Sequence, residues 1–125
     1  MDDSIPSLAE YLAAARARLD RVRPEDLTRE LESGTVVIDV RDSAQRERDG
    51  EIPGAIPIDL TVLEWRLAPS SEWHSMDIGP DQRVILVCSQ GFSSSLAAAR
   101  LQDLGLRGAT DVEGGFFAWR GDAAP

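Results

Sequence analysis

The chain has 125 residues, with 13 Lys and Arg against 22 Asp and Glu, 42% hydrophobic residues and 28% charged residues. That size and balance fit one globular domain with its own core and exclude a disordered chain. The formal net charge of −9 repels polyanions, which argues against nucleic acid, and no apolar run approaches the roughly 20 residues that cross a bilayer, so a cytoplasmic protein without membrane contact is expected.

Taken in order, residues 7–21 place Leu8, Leu12, Ala15 and Leu19 at spacings of three and four behind Ser7, which predicts an amphipathic helix within an N-terminal helical extension over 1–22. Pro24 at a first helical position, acids after it and Gly34 as a stop predict a second, short helix. TVVIDV, 35–40, is β-branched and apolar on both faces, which suits a central parallel strand. The charged residues 41–54, closed by Pro53 and Gly54, predict a connection with at most one or two helical turns. A short strand over 55–59, a helix over 60–68 and a surface loop over 69–82 follow. RVILVC, 83–88, is the second strongly apolar strand. Leu96, Ala97, Arg100, Leu101 and Leu104 then fall in helical register before Gly105. A short strand over 109–112 and a last turn or helix with a tail, GGFFAWRGDAAP, complete the chain. The alternation predicts an α/β fold: one domain over 1–125, with a mostly parallel central sheet of about five strands and helices on both faces.

Cys88 is the only cysteine, and it ends an apolar strand. In parallel α/β sheets ligands bind beyond the carboxyl ends of the strands. The loop after it, Ser89-Gln90-Gly91-Phe92-Ser93-Ser94, is small and polar and runs straight into a helix. Curled around the cysteine, its backbone N–H groups would form a nest, and the helix N-terminus would add a positive dipole end; both favour a thiolate. Such surroundings make a cysteine nucleophilic. Gly91 supplies the positive φ of a tight loop, while Ser93 and Ser94 cap the helix or donate to sulfur. Without that loop, the plain reading of a lone cysteine is a small buried hydrophobe. With one cysteine and one histidine, His74, neither an internal disulfide nor a metal site is expected.

The pattern Cys-x-x-Gly-x-Ser between a strand and a helix resembles the active-site loop of rhodaneses, the single-domain sulfurtransferases. VVIDVRD followed by EIPGAIPI resembles that family's N-terminal signature, and DVEGGFFAWRGDAAP its C-terminal signature of paired glycines and a tryptophan. These signatures stand in family order over 36–120. The resemblance implies a rhodanese-like domain and a sulfurtransferase needing no cofactor. Its Cys88 would take a sulfane sulfur from a small anionic donor such as thiosulfate. It would then pass that sulfur from a persulfide to cyanide, a cellular thiol or a protein acceptor. It also implies that Asp39 and Arg41 hold neighbouring loops as a buried pair, that Gly114 and Gly115 set a backbone turn, and that Trp119 packs in the core or a lid. Glu51 stands where many members have His, and the active loop lacks the Arg or Lys that some thiosulfate-using relatives carry there.

Two rivals follow from the same residues. Related phosphatases and arsenate reductases use Cys-x5-Arg, but here Ser94 occupies the sixth position and the next arginine is Arg100. A non-catalytic partner-binding or regulatory module, or a persulfide carrier to one dedicated protein, would keep the fold with less turnover. Arg46 and Arg66 are candidates for donor attraction. The segment LTVLEWRLAPSSEWH, with Trp65 and Trp73, is expected to wall the mouth of the site.

Overall fold

The computed structural model describes residues 4–121. Helix α1 spans Leu8–Arg16; a 3-10 turn at Pro24–Asp26 leads into α2, Leu27–Glu32; then come β1, Val36–Asp39, α3, Ser43–Asp49, and β2, Ile56–Pro57. A second 3-10 turn, Leu60–Val62, leads into α4, Leu63–Leu67, followed by β3, Val84–Val87, α5, Ser93–Asp103, β4, Ala109–Asp111, and α6, Gly115–Arg120. The strands form one parallel sheet in the order β2-β1-β3-β4.

β3 is the centre of the molecule, and its apolar run is explained by burial on both faces. Val84 and Leu86 point into a core with Leu63, Leu67, Ala97, Ala98 and Leu101, from α4 and α5. Ile85 and Val87 point into a second core with Leu27, Phe116 and Phe117, from α2 and α6. The sheet is therefore covered by helices on both faces, as the alternation of elements predicts.

Two sequence expectations, both of helix bounds, are corrected. The first helix stops at Arg16, not 21, because the chain must leave it to reach the sheet edge: Val22 N–H donates to the Asp111 carbonyl, and the Val22 carbonyl accepts from Glu113 N–H, both at 2.9 Å. Among the described residues the sheet has four strands, close to the five or so expected, and the single Val22–Val112 bridge stands where a fifth would lie. It cannot extend as a strand, since Pro24 lacks an N–H and starts a 3-10 turn. Residues 60–68 split into a 3-10 turn and a short α4. The first three residues of the predicted extension and the predicted tail beyond Gly121 lie outside the described residues. Among the described residues, no helix is long and apolar enough to cross a membrane.

Candidate active site

β3 delivers Cys88 to the carboxyl edge of the sheet, where its side chain is buried but opens onto a pocket. The chain then turns back: Gly91 takes a φ of +83°, and its N–H donates to Cys88 Sγ at 3.1 Å. α5 begins two residues later with Phe92 as N-cap, and no side chain caps it. Ser94 is instead turned inward. Its Oγ lies 3.1 Å from Sγ and donates to Asp111 Oδ2 at 2.7 Å. Ser95 Oγ reaches the same carboxylate oxygen at 2.7 Å. The single Ser94 proton has two destinations. Facing a thiol, it goes to Asp111 while the sulfur donates to Ser94; facing a thiolate, it turns to the sulfur, and Asp111 keeps Ser95 and Arg21.

The paired glycines explain how the loop is held open toward sulfur. α6 starts beneath it: Phe116 N–H donates to the Cys88 carbonyl at 2.8 Å, and Phe117 N–H to the Ser89 carbonyl at 3.1 Å. Since no peptide among the described residues is cis, the N–H groups of Ser89 and Gln90 point the opposite way, away from α6. Gly115, at φ +64°, makes this approach feasible. A Cβ there would collide with the Cys88 carbonyl oxygen and sit 2.8 Å from the Gly91 nitrogen. Gly114 completes the turn as the left-handed N-cap of α6.

Asp39 and Arg41 form a buried pair at the end of β1. Arg41 Nε and Nη2 donate to the two Asp39 carboxylate oxygens at 3.0 and 2.7 Å, Nη2 also reaches the Gly50 carbonyl at 2.8 Å, and the guanidinium lies 3.9 Å from the Phe116 ring centroid. This one side chain thus joins β1, the turn after α3, and α6. Trp119 stands apart from the pocket: its indole N–H donates to Thr28 Oγ1 at 3.1 Å, and its ring packs on Phe116.

In front of Cys88 lies a pocket of about 370 Å³. The loop residues Ser89, Gln90, Phe92 and Ser93 form one side; Asp42 and Gln45 of the α3 turn and Asp59, Leu60 and Thr61 after β2 form the other. The N–H and hydroxyl of Thr61, with Arg46 nearby, hold the Asp59 carboxyl below its ordinary range. Of the segment expected to wall the mouth, Leu60 and Thr61 do so. Trp65 and Trp73 are 54% and 63% exposed and together line two other depressions, one of which includes Arg66. Arg46 donates to the Arg41 carbonyl at 2.9 Å and pairs with Glu51. The residues missed from sequence are Asp42, Gln45 and Asp59 at the mouth, and Ser95, Asp111, Arg16 and Arg21 behind the loop. Asp111 did carry a signal, because a carboxylate inside a short buried strand needs partners.

The model of the rhodanese-like domain matches residues 23–122. The thiosulfate sulfurtransferase GlpE of Pseudomonas savastanoi is 34% identical over 100 residues, covering 80% of this chain and 86% of the relative. A structure from Rhodopseudomonas palustris, described as a protein of unknown function and possible tyrosine phosphatase, superposes with a TM-score of 0.81 at 31% identity, over 100% of this chain and 99% of that one. The human single-domain sulfurtransferase TSTD1 shares the fold, with a TM-score of 0.69 at 24% identity over 83% of this chain and 97% of that one. With these signatures, this loop and these relatives, the chain belongs to the rhodanese-like family of sulfurtransferases.

Proposed function

We propose that the protein is a sulfurtransferase in which Cys88 carries the sulfur as a persulfide. The observation that supports this most directly is the Gly91 N–H donated to Cys88 Sγ in a loop whose Cys88 and Ser89 carbonyls are tied back to α6. Such a nest stabilises a sulfur anion in place, before any reaction begins. With thiosulfate, the Cys88 thiolate attacks the outer sulfur, a new S–S bond forms, the S–S bond of the donor breaks, and sulfite leaves with the electron pair. The acceptor, cyanide or a thiolate, then attacks the terminal sulfur, and Cys88 leaves as a thiolate. Neither step changes the net electron count, and no cofactor enters. Transfer in two displacements gives ping-pong kinetics. Phosphatase chemistry of the Cys-x5-Arg type lacks its arginine here. Ser94 holds that position, and Arg100 sits on α5, paired to Glu64 at 3.1 Å.

The test is intact-mass spectrometry before and after thiosulfate. The expected result is a gain of one sulfur atom that cyanide removes and that Cys88→Ser never shows. A chain that gains no sulfur from thiosulfate, 3-mercaptopyruvate or a protein persulfide would be a binding module, and the proposal would be wrong.

A further inference from the structure

Behind the loop, the N-terminal segment reaches into the site from outside residues 23–122, which the family model matches. Arg16, the last residue of α1, donates from Nη2 to the Gly91 carbonyl at 2.7 Å and from Nε to Ser95 Oγ at 3.1 Å. Arg21 donates from Nη2 to the same carbonyl at 3.2 Å and from Nε to Asp111 Oδ1 at 2.8 Å. Ser95 Oγ lies 3.2 Å from that oxygen, but its one proton goes to the Asp111 carboxylate at 2.7 Å, so the arginines are the donors to the carbonyl. Two guanidinium groups on one backbone carbonyl, beside a wholly buried carboxylate that also takes the Ser94 and Ser95 hydroxyls, make a built network rather than a surface contact.

The position of that carbonyl gives the network its meaning. Three loop carbonyls are fixed on the outside, those of Cys88 and Ser89 by α6 and that of Gly91 by the arginines. In the trans peptide between Gly91 and Phe92, the Phe92 N–H is antiparallel to the Gly91 C=O and so points away from the arginines. Cations on a carbonyl polarise its amide and strengthen the N–H as a donor. Two positive charges against the one negative charge of Asp111 also leave a net positive field behind the loop, which favours an anion on sulfur.

We propose that Arg16 and Arg21 are positioning residues of the Cys88 site, holding the Gly91–Phe92 peptide so that its N–H serves the sulfur anion, first as thiolate and then as persulfide. The persulfide part rests on the sulfurtransferase reading; the thiolate part does not. Arginine suits the task because its fork of donors satisfies the carbonyl and a second acceptor together, where a lysine offers a single point charge.

The test measures Cys88 alkylation by iodoacetamide at pH 7, which reads the thiolate without any sulfur donor, alongside kcat and KM with thiosulfate and cyanide. Urea unfolding confirms that each variant is folded under assay conditions. Arg16→Gln is expected to slow alkylation about fivefold and to lower kcat more than it raises KM. Arg16→Lys, which keeps one charged donor for the carbonyl, recovers at least half of the loss, and Arg21→Lys behaves as a partial loss. Arg18→Ala removes a guanidinium paired to Asp103 on the outer face and leaves both readouts unchanged. Folded Arg16→Gln with the alkylation rate of the parent chain would overturn the proposal, as would a loss that Arg16→Lys does not recover. If the parent chain forms no persulfide, the sulfurtransferase reading fails, while the alkylation series still decides the role of Arg16.

Discussion

Gly115→Ala isolates the contact between the paired-glycine turn and the active loop. Two costs are expected. A residue with a Cβ at φ +64° carries about 1–2 kcal/mol of left-handed strain. The new methyl group also meets only backbone, the Cys88 carbonyl oxygen and, at 2.8 Å, Gly91 N and Ser89 C, so no side chain can rotate aside, and overpacking adds about 1–3 kcal/mol. The sum is about 2–5 kcal/mol. Gly34→Ala is the reference: Gly34 has φ +85° and nothing within 4 Å of a built Cβ, so it carries the strain alone. With a urea m-value of about 1.5 kcal/mol per molar, Gly34→Ala lowers the unfolding midpoint by about 1 M and Gly115→Ala by about 1.3–3.3 M. The functional readout separates them further. The loop can relieve the collision only by moving off α6, which turns its N–H groups away from sulfur, so Gly115→Ala slows persulfide formation at least tenfold while Gly34→Ala leaves it unchanged. Equal midpoints and equal rates for the two variants would refute the claim that close backbone approach is what the second glycine provides.

Breaking the buried Asp39–Arg41 pair with Arg41→Met leaves a carboxylate without its cation and is expected to cost about 3–5 kcal/mol. The double variant Asp39→Ala/Arg41→Met should cost less than the sum of the two single changes by at least about 1 kcal/mol, and additive urea midpoints would contradict the pairing. At the mouth of the pocket, Asp42 and Asp59 are carboxylates, and the guanidinium of the one lining arginine, Arg41, is turned inward to Asp39. Thiosulfate turnover should therefore rise about twofold as salt goes from about 20 to about 200 mM, and Asp59→Asn should raise kcat/KM at low salt; a rate that falls with salt would count against this. The Ser71 carbonyl and Asp77 raise the proton affinity of His74. Its imidazole NMR resonances should titrate above about 6.5, and Asp77→Asn should bring the midpoint down. The sign follows from the raised value: any stabilisation from this group is present at low pH and is lost as pH rises through the folded-state midpoint.

The parts of the fold legible in sequence were those where neighbours in sequence act together. β3 announces itself as an unbroken apolar run and β1 as a β-branched run closed by Asp39, and such runs belong where both faces are covered. The Cys88 loop is equally visible, because strand, glycine, hydroxyls and helix follow one another within a few residues. Arg16 is not visible in this way. It lies 75 residues from the carbonyl it holds, and on its own helix it reads as an ordinary polar position. Trp65 and Trp73 mislead for the opposite reason: large aromatic side chains near a predicted mouth suggest a wall, but the 3-10 turn ahead of α4 brings Leu60 and Thr61 to the pocket instead. The end of the first helix was also hidden, since the pull on it comes from the sheet edge at Val112 rather than from a breaker in the segment.

The two margins of the sheet bear on how this chain behaves at high concentration. An open parallel sheet invites a stray strand to add to its unpaired donors and acceptors, the usual beginning of edge-to-edge aggregation. Here one margin is a strand of two residues, Ile56 and Pro57, and the proline has no N–H to offer. At the other margin Val22 occupies the Asp111 carbonyl and the Glu113 N–H. Cutting the chain between Arg21 and Arg23 would therefore do more than shorten it: it would free the β4 margin for recruitment by another copy, so that loss of solubility would accompany loss of the segment.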